Sequence, residues 1–127
     1  MDKAELLART KTFSLRIFKL VDQLPNGIGS RAIAQQVVRS GTAIGANYRA
    51  ACRGRSTAEF AAKLGVVAEE ADETVYWLEL VRDGGFMAPA RIDPLLAEAN
   101  ELTAIFTAAR RTASKSNLKP QPSNIPS

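Results

Sequence analysis

STAEFAAKLGVVAEEADETVYWLELVRDGG, residues 56–85, is the stretch of this 127-residue chain that specifies a helix most plainly. Ser56-Thr57-Ala58-Glu59 has the capping-box pattern, in which a Ser hydroxyl and a Glu carboxylate satisfy orphan N–H groups of a first turn. Phe60, Leu64, Val67, Ala71, Thr74, Leu78 and Val81 then recur at alternating spacings of four and three. One face of a helix repeats at that period, and a strand does not. A sustained stripe of this kind favours knobs-into-holes packing at shallow crossing angles. Asp83-Gly84-Gly85 closes the segment, with Gly84 placed to take the left-handed conformation beyond the last turn.

Working outward, the preceding segment reads as a helix from about Arg31 to Arg53, with Ser30 as its N-cap. Its stripe is Val37, Gly41, Ile44, Tyr48 and Ala51, joined by Ile33. Gly41 and Gly45 each cost about 1 kcal/mol relative to Ala in a helix interior, and close approach of a neighbouring backbone is the expected compensation. A further helix, Lys3 to Leu24, carries Leu6, Phe13, Ile17, Leu20 and Leu24 and stops at Pro25-Asn26-Gly27, where Pro and Asn-Gly favour a turn. On the other side, Leu95, Ala99, Leu102, Phe106, Ala109 and Ala113 repeat the 4-3 spacing. Two starts compete for this helix. Asp93 caps it with Pro94 at the first position, or it begins at Pro89 and Pro94 kinks it. We favour an opening turn at 89–93 and a main helix over 94–113. The remainder, SKSNLKPQPSNIPS, has three prolines and little apolar content and reads as a disordered tail. Four helices of similar length joined by short turns predict an all-α, antiparallel, up-and-down four-helix bundle over residues 1–113, followed by the tail, 114–127.

Composition bounds the function. The chain is 46% hydrophobic and 24% charged, and a domain of this size buries roughly two-thirds of the surface its unfolded form exposes. One cysteine, Cys52, allows no intrachain disulfide. There is no histidine, which removes the commonest general base, metal ligand and partner of a nucleophilic Ser or Cys. No enzyme, metal or cofactor is expected. The start, MDKAELLARTK, has charges and no apolar run, so no signal peptide is expected. No stretch approaches the roughly 20 apolar residues of a membrane span, and a cytoplasmic location without membrane partners follows as an expectation. The net charge is +4, but it is segmented. Residues 1–55 hold ten Lys and Arg against three Asp and Glu, residues 56–101 hold three against ten, and residues 102–127 hold four against none.

Two faces follow from that segmentation. No acidic residue occurs between Asp22 and Glu59. At 100° per residue, Arg31, Arg39, Arg49 and Arg53 fall within about 80° of one another, opposite the Val37, Ile44 and Tyr48 stripe. Such an outward basic ridge suits phosphate and is the footprint of a nucleic-acid binder. RNA or single-stranded DNA, bound without sequence preference, is the partner it points to. On the 56–85 helix, Glu69, Asp72, Glu73, Glu79 and Asp83 lie around the non-core side with Tyr76 and Leu80, and Trp77 on the flank. Clustered aromatics there favour a protein–protein interface, with Tyr76, Trp77, Leu80 and Glu73 as its candidates. Basic and acidic faces differ, so contact between copies is heterologous, and such contacts close into rings when the rotation permits. The alternative is an interaction scaffold whose arginines are consumed by assembly, leaving none for nucleic acid. Cys52 beside Arg49 and Arg53 reads as a packed or partly exposed helical thiol. Asn47, at the edge of the stripe, reads as a buried hydrogen bond to another helix, and Asn26–Ser30 as a turn.

Three stretches carry a family resemblance: RSGTAIGANYR (39–49), STAEFAAKLG (56–65) and EADETVYWLEL (70–80). In that order and at those separations they resemble the bacterial four-helix-bundle family of 23S rRNA-intervening-sequence proteins, over roughly residues 5–113. The resemblance implies a four-helix bundle, a ring-like homopentamer and no established catalytic activity. A related accessory protein of diversity-generating retroelements shares the fold and binds nucleic acid. Many relatives carry Glu where this chain has Ala50, so no role of that carboxylate carries over.

Overall fold

The computed structural model describes residues 1–118, with side chains described as far as Lys115. It consists of α1 (Lys3–Val21), α2 (Ile28–Cys52), α3 (Thr57–Asp83) and α4 (Pro89–Leu118), with no strand among the described residues. No helix among them is long and apolar enough to cross a membrane. α3 packs extensively against both α2 and α4, α1 packs against α2, and α1 meets α4 only sparsely. α3 is therefore the spine of the bundle. This is why it buries a second stripe, Ala61, Gly65, Ala68 and Val75, beside the expected one. Gly65 in that stripe lies against the Arg110 side chain of α4.

Of the expected caps, Ser56 is found in place, while those at Ser30 and Gly84 are corrected. The Ser56 hydroxyl accepts from the Glu59 N–H at 3.1 Å, while the Glu59 carboxylate accepts from Arg55, one residue before the cap. Gly84 stays right-handed at φ −78°, and Gly85 takes the positive angle, φ +73°. The turn is thus shifted by one residue. α2 starts earlier than Ser30, with Gly27 at its N-cap, and Ser30 is buried inside the helix with its hydroxyl unpartnered among the described residues. α1 ends at Val21 rather than Leu24. α4 begins at Pro89 and runs unbroken through Pro94 to Leu118, so both the favoured start and the end at 113 are corrected. Ile92, Leu95 and Leu96 are buried on either side of Pro94, and this packing carries the helix across it. Ala90, whose carbonyl loses its helical N–H partner to the ring, is an exposed residue. Of the expected tail, residues 114–118 are helical, and 119–127 lie outside the described residues.

Close approach explains the α2 glycines. A Cβ on Gly41 would stand 2.8 Å from Ile17 Cγ1, and one on Gly45 would stand 3.3 Å from Thr10 Oγ1. α1 is therefore seated directly on the α2 backbone. Arg9 fastens it to α4 through a two-pronged contact with Glu98, 2.7 Å on each prong, and a further contact with Glu101 at 3.0 Å. The Glu98 hydrogen bond is the main reason the Arg9 pKa is raised. Between α2 and α3 the buried Ser40 and Thr74 hydroxyls meet at 2.8 Å.

The core includes Phe13, Ile17, Val37, Ile44, Val67, Leu78, Leu102 and Phe106, all without exposed surface. Each such side chain contributes about 1.5–3 kcal/mol by leaving water. Tyr48 of α2 reaches across to Phe106 of α4, ring centroids 5.1 Å apart and planes tilted by 54°. Burial, and secondarily the nearby Cys52 thiol, pushes the Tyr48 phenol up to about 12. The folded state thus disfavours ionised Tyr48. Its contribution is complete below the unfolded value near 10 and is lost as pH rises through about 12. Stability is expected to fall by about 2–3 kcal/mol over that window. Tyr48→Phe should remove that portion of the loss, as read by chemical denaturation at stepped pH.

Candidate nucleic-acid interface

Arg31, Arg39, Arg49 and Arg53 are all exposed, while Val37, Ile44 and Tyr48 behind them are buried. The helix does present the ridge outward, but the four arginines do not share one environment. Arg39 leans toward α3 and is held there by Glu70, at 3.2 Å, and by Glu73. Two carboxylates of the same chain occupy its guanidinium. Arg31, Arg49 and Arg53 have no carboxylate partner among the described residues. Arg49 and Arg53 lean the other way, over the seam between α1 and α2.

Along that seam runs a groove of about 610 Å³. Lys3 and Lys11 stand on its α1 side, Arg49 and Arg53 on its α2 side, and Leu7, Gly45 and Ala46 contribute to its lining. Thr10 and Ser14 line it too, and no carboxylate does. The local cause is side-chain size. Gly45, Ala46 and Ser14 keep the floor low, while the long stems of the flanking Lys and Arg raise the walls and keep their charged heads in water. Thr10 is buried and donates back to the Leu6 carbonyl at 2.8 Å, so the floor carries no orphaned polar group there. A smaller hollow of about 200 Å³ near the other end of α1 also gathers cations, Arg16, Lys19 and Arg91, around Leu20 and Leu95.

Lys3 and Lys11 are the residues that reading α2 alone leaves out. Lys3, Leu7 and Lys11 recur every four residues, a visible stripe on the flank of α1. Their meeting with Arg49 and Arg53 depends on how α1 is seated on α2, which the stripe does not specify. The four converging cations strengthen one another's field in a site that counter-ions alone otherwise neutralise.

The α3 face differs from the expected patch. Tyr76 is 53% exposed, and Glu69, Asp72 and Asp83 are exposed around it. Trp77 and Leu80, however, pack against the core. Trp77 meets Tyr76 edge-on at 5.1 Å, and its indole N–H is buried without an acceptor among the described residues. Glu73 is turned to Arg39 of its own chain. The outer surface of α3 is therefore an acidic ridge around one exposed ring rather than a broad aromatic patch. α2 and α4 both flank the spine helix, and they cover sides of it that a one-stripe reading leaves open.

Cys52 is half-buried in the groove lining. Asn47, expected to reach another helix, donates to the Ala43 carbonyl one turn back at 2.8 Å. Its amide finds a nearer acceptor in its own helix. Among the described residues no three His, Cys, Asp or Glu side chains gather into a metal site.

A sequence profile described as 23S rRNA-intervening sequence protein matches residues 2–108. Among solved structures, the chain is similar to a protein of unknown function from the S23 ribosomal protein family of Bacteroides thetaiotaomicron. The two are 29% identical, with 83% of this chain and 97% of that one covered and a TM-score of 0.74. No curated protein matches.

Proposed function

The chain belongs to the 23S rRNA-intervening sequence protein family, and on that premise we propose that it is a non-enzymatic, self-assembling cytoplasmic bundle that binds RNA or single-stranded DNA through the outer face of α2. Pairings of Thr10 with Gly45 and Ile17 with Gly41 between α1 and α2, and of Gly65 with Arg110 and Arg82 with Asp93 between α3 and α4, run in opposite senses and support an antiparallel, up-and-down course for its helices. One observation carries the binding reading. Arg49 and Arg53, together with Lys3 and Lys11, surround a groove that no carboxylate lines, whereas Arg39 is neutralised within the chain. The test is binding of mixed-sequence single-stranded RNA across a salt series. Three or four phosphate contacts give a slope of about −2 to −3 in log affinity against log salt. Undetectable binding at low salt rejects the reading.

A second reading is favoured by Tyr76, which stands exposed on the acidic ridge of α3. In it, that ridge docks on the basic face of the next copy, head to tail, and five copies close a ring. The arginines are then spent in assembly. Native mass spectrometry should show pentamers, and Tyr76→Glu, which adds a charge at an exposed ring, should shift them to monomers. A variant of unchanged mass removes Tyr76 from the contact.

A further inference from the structure

Cations at the rim of a groove accept any polyanion, but an apolar floor is used only by a ligand that brings an apolar or flat body of its own. The α1–α2 groove has both. Its rim is Lys3, Lys11, Arg49 and Arg53, and Leu7 and Ala46 contribute to the lining between them. From this we infer that the groove seats a nucleotide unit, with phosphate on the rim and the base turned down against the floor. The inference rests on the nucleic-acid reading above and narrows it to unpaired nucleotides.

The chemistry of strands and two features of the groove support that narrowing. A duplex keeps its bases stacked and offers a protein its phosphates and groove edges, so a paired strand leaves the floor of this groove empty. An unpaired strand splays its bases freely and places them against side chains. At about 610 Å³ the groove also lies within the range of small-molecule sites, which suits one or two nucleotides rather than a helix. Finally, the rim cations come from two helices facing each other across the floor. That arrangement holds a phosphate on either side of an inserted base, which a ridge on a single helix does not.

The chemistry is shared by a free nucleoside phosphate and by a residue of a single strand, and the experiment separates the two. Affinities are measured at low salt for a fluorescent 12-mer of mixed-sequence RNA and for its duplex. Uridine monophosphate and inorganic phosphate serve as competitors. Ala46→Leu fills the floor without altering charge, at an exposed position of α2, and should weaken single-strand binding about tenfold, the scale of one seated base, with duplex binding unchanged. Alkylating Cys52 with N-ethylmaleimide blocks the same groove in the wild-type chain, whose only cysteine it is, and should do the same. Competition by uridine monophosphate but not by phosphate assigns the site to a free nucleotide. Competition by unlabelled 12-mer alone assigns it to a strand. Equal competition by inorganic phosphate overturns the inference, as does single-strand binding that survives both Ala46→Leu and alkylation. In those cases the surface phosphate reading stands. Absence of any RNA binding by the wild-type chain overturns both.

Discussion

Phe106→Ala should lower the unfolding free energy by about 3–5 kcal/mol, the range for removing a fully buried phenylalanine. Phe106 has no exposed surface and stands where α4 meets Tyr48 of α2. Deleting it removes the transfer free energy of the ring and leaves a cavity that α3, packed on both neighbours, prevents from collapsing. Against a total of roughly 5–15 kcal/mol for a domain, this is a third or more of the stability. The change should also let water reach Tyr48 and lower its phenol from about 12, which spectrophotometric titration reads directly. Phe106→Leu, which keeps most of the volume, should cost less than half as much. Denaturant unfolding monitored by circular dichroism checks both variants, and a Phe106→Ala loss under about 1 kcal/mol would show that the aromatic pair is not central to the core.

Replacing Arg49 and Arg53 together by Gln should weaken single-stranded RNA binding about 100-fold at low salt. Each charge-assisted contact is worth about 1.5–3 kcal/mol, and two of them at the lower limit, about 3 kcal/mol, correspond to that factor. The salt slope should also flatten by about 1.4. The informative control is Arg39→Gln. On sequence grounds Arg39 belongs to the same ridge, yet Glu70 and Glu73 occupy it. Its replacement should leave RNA affinity unchanged and cost at most about 1 kcal/mol of stability, as exposed ion pairs do. Equal losses of affinity for Arg39→Gln and for the double variant would mean that the intrachain pairs open on binding and the whole ridge is used.

The contrast between Arg39 and Arg49 shows where sequence reading reaches its limit. Periodicity orients a side chain about its own helix axis, and it placed all four arginines outward because that is a local property. What an outward side chain meets depends on the rotation and offset of the neighbouring helix. Those offsets put Glu73 beside Arg39 and bring Lys11 and Arg49 into the lining of one groove. The same limit explains α3. Its 4-3 stripe was legible because a capped heptad repeat is a strong local signal, but Ala61, Gly65, Ala68 and Val75 are mostly small and mixed among charges, and they become a packing face only once neighbouring helices lie against α3. Trp77 and Leu80, half-buried, turn part of their surface to the core for the same reason. Gly41 and Gly45 were readable because glycine within a helix needs a compensating contact, and Ile17 and Thr10 supply it. Pro94 was not, since its tolerance depends on buried neighbours on both sides.

The unequal attachment of α1 has a consequence for how the groove behaves over time. This helix rests on α2 and approaches α4 only sparsely, with the Arg9 clasp among the contacts between them, so it is the helix with fewest neighbours holding it down. Local opening draws on such weakly anchored pieces first, and amide hydrogens of Lys3–Val21 therefore exchange with solvent before those of the spine. A molecule bridging Lys3 and Lys11 to Arg49 and Arg53 would stitch the loose helix to its neighbour. Occupancy would then be recorded as slower exchange along the whole of α1, well beyond the atoms actually touched.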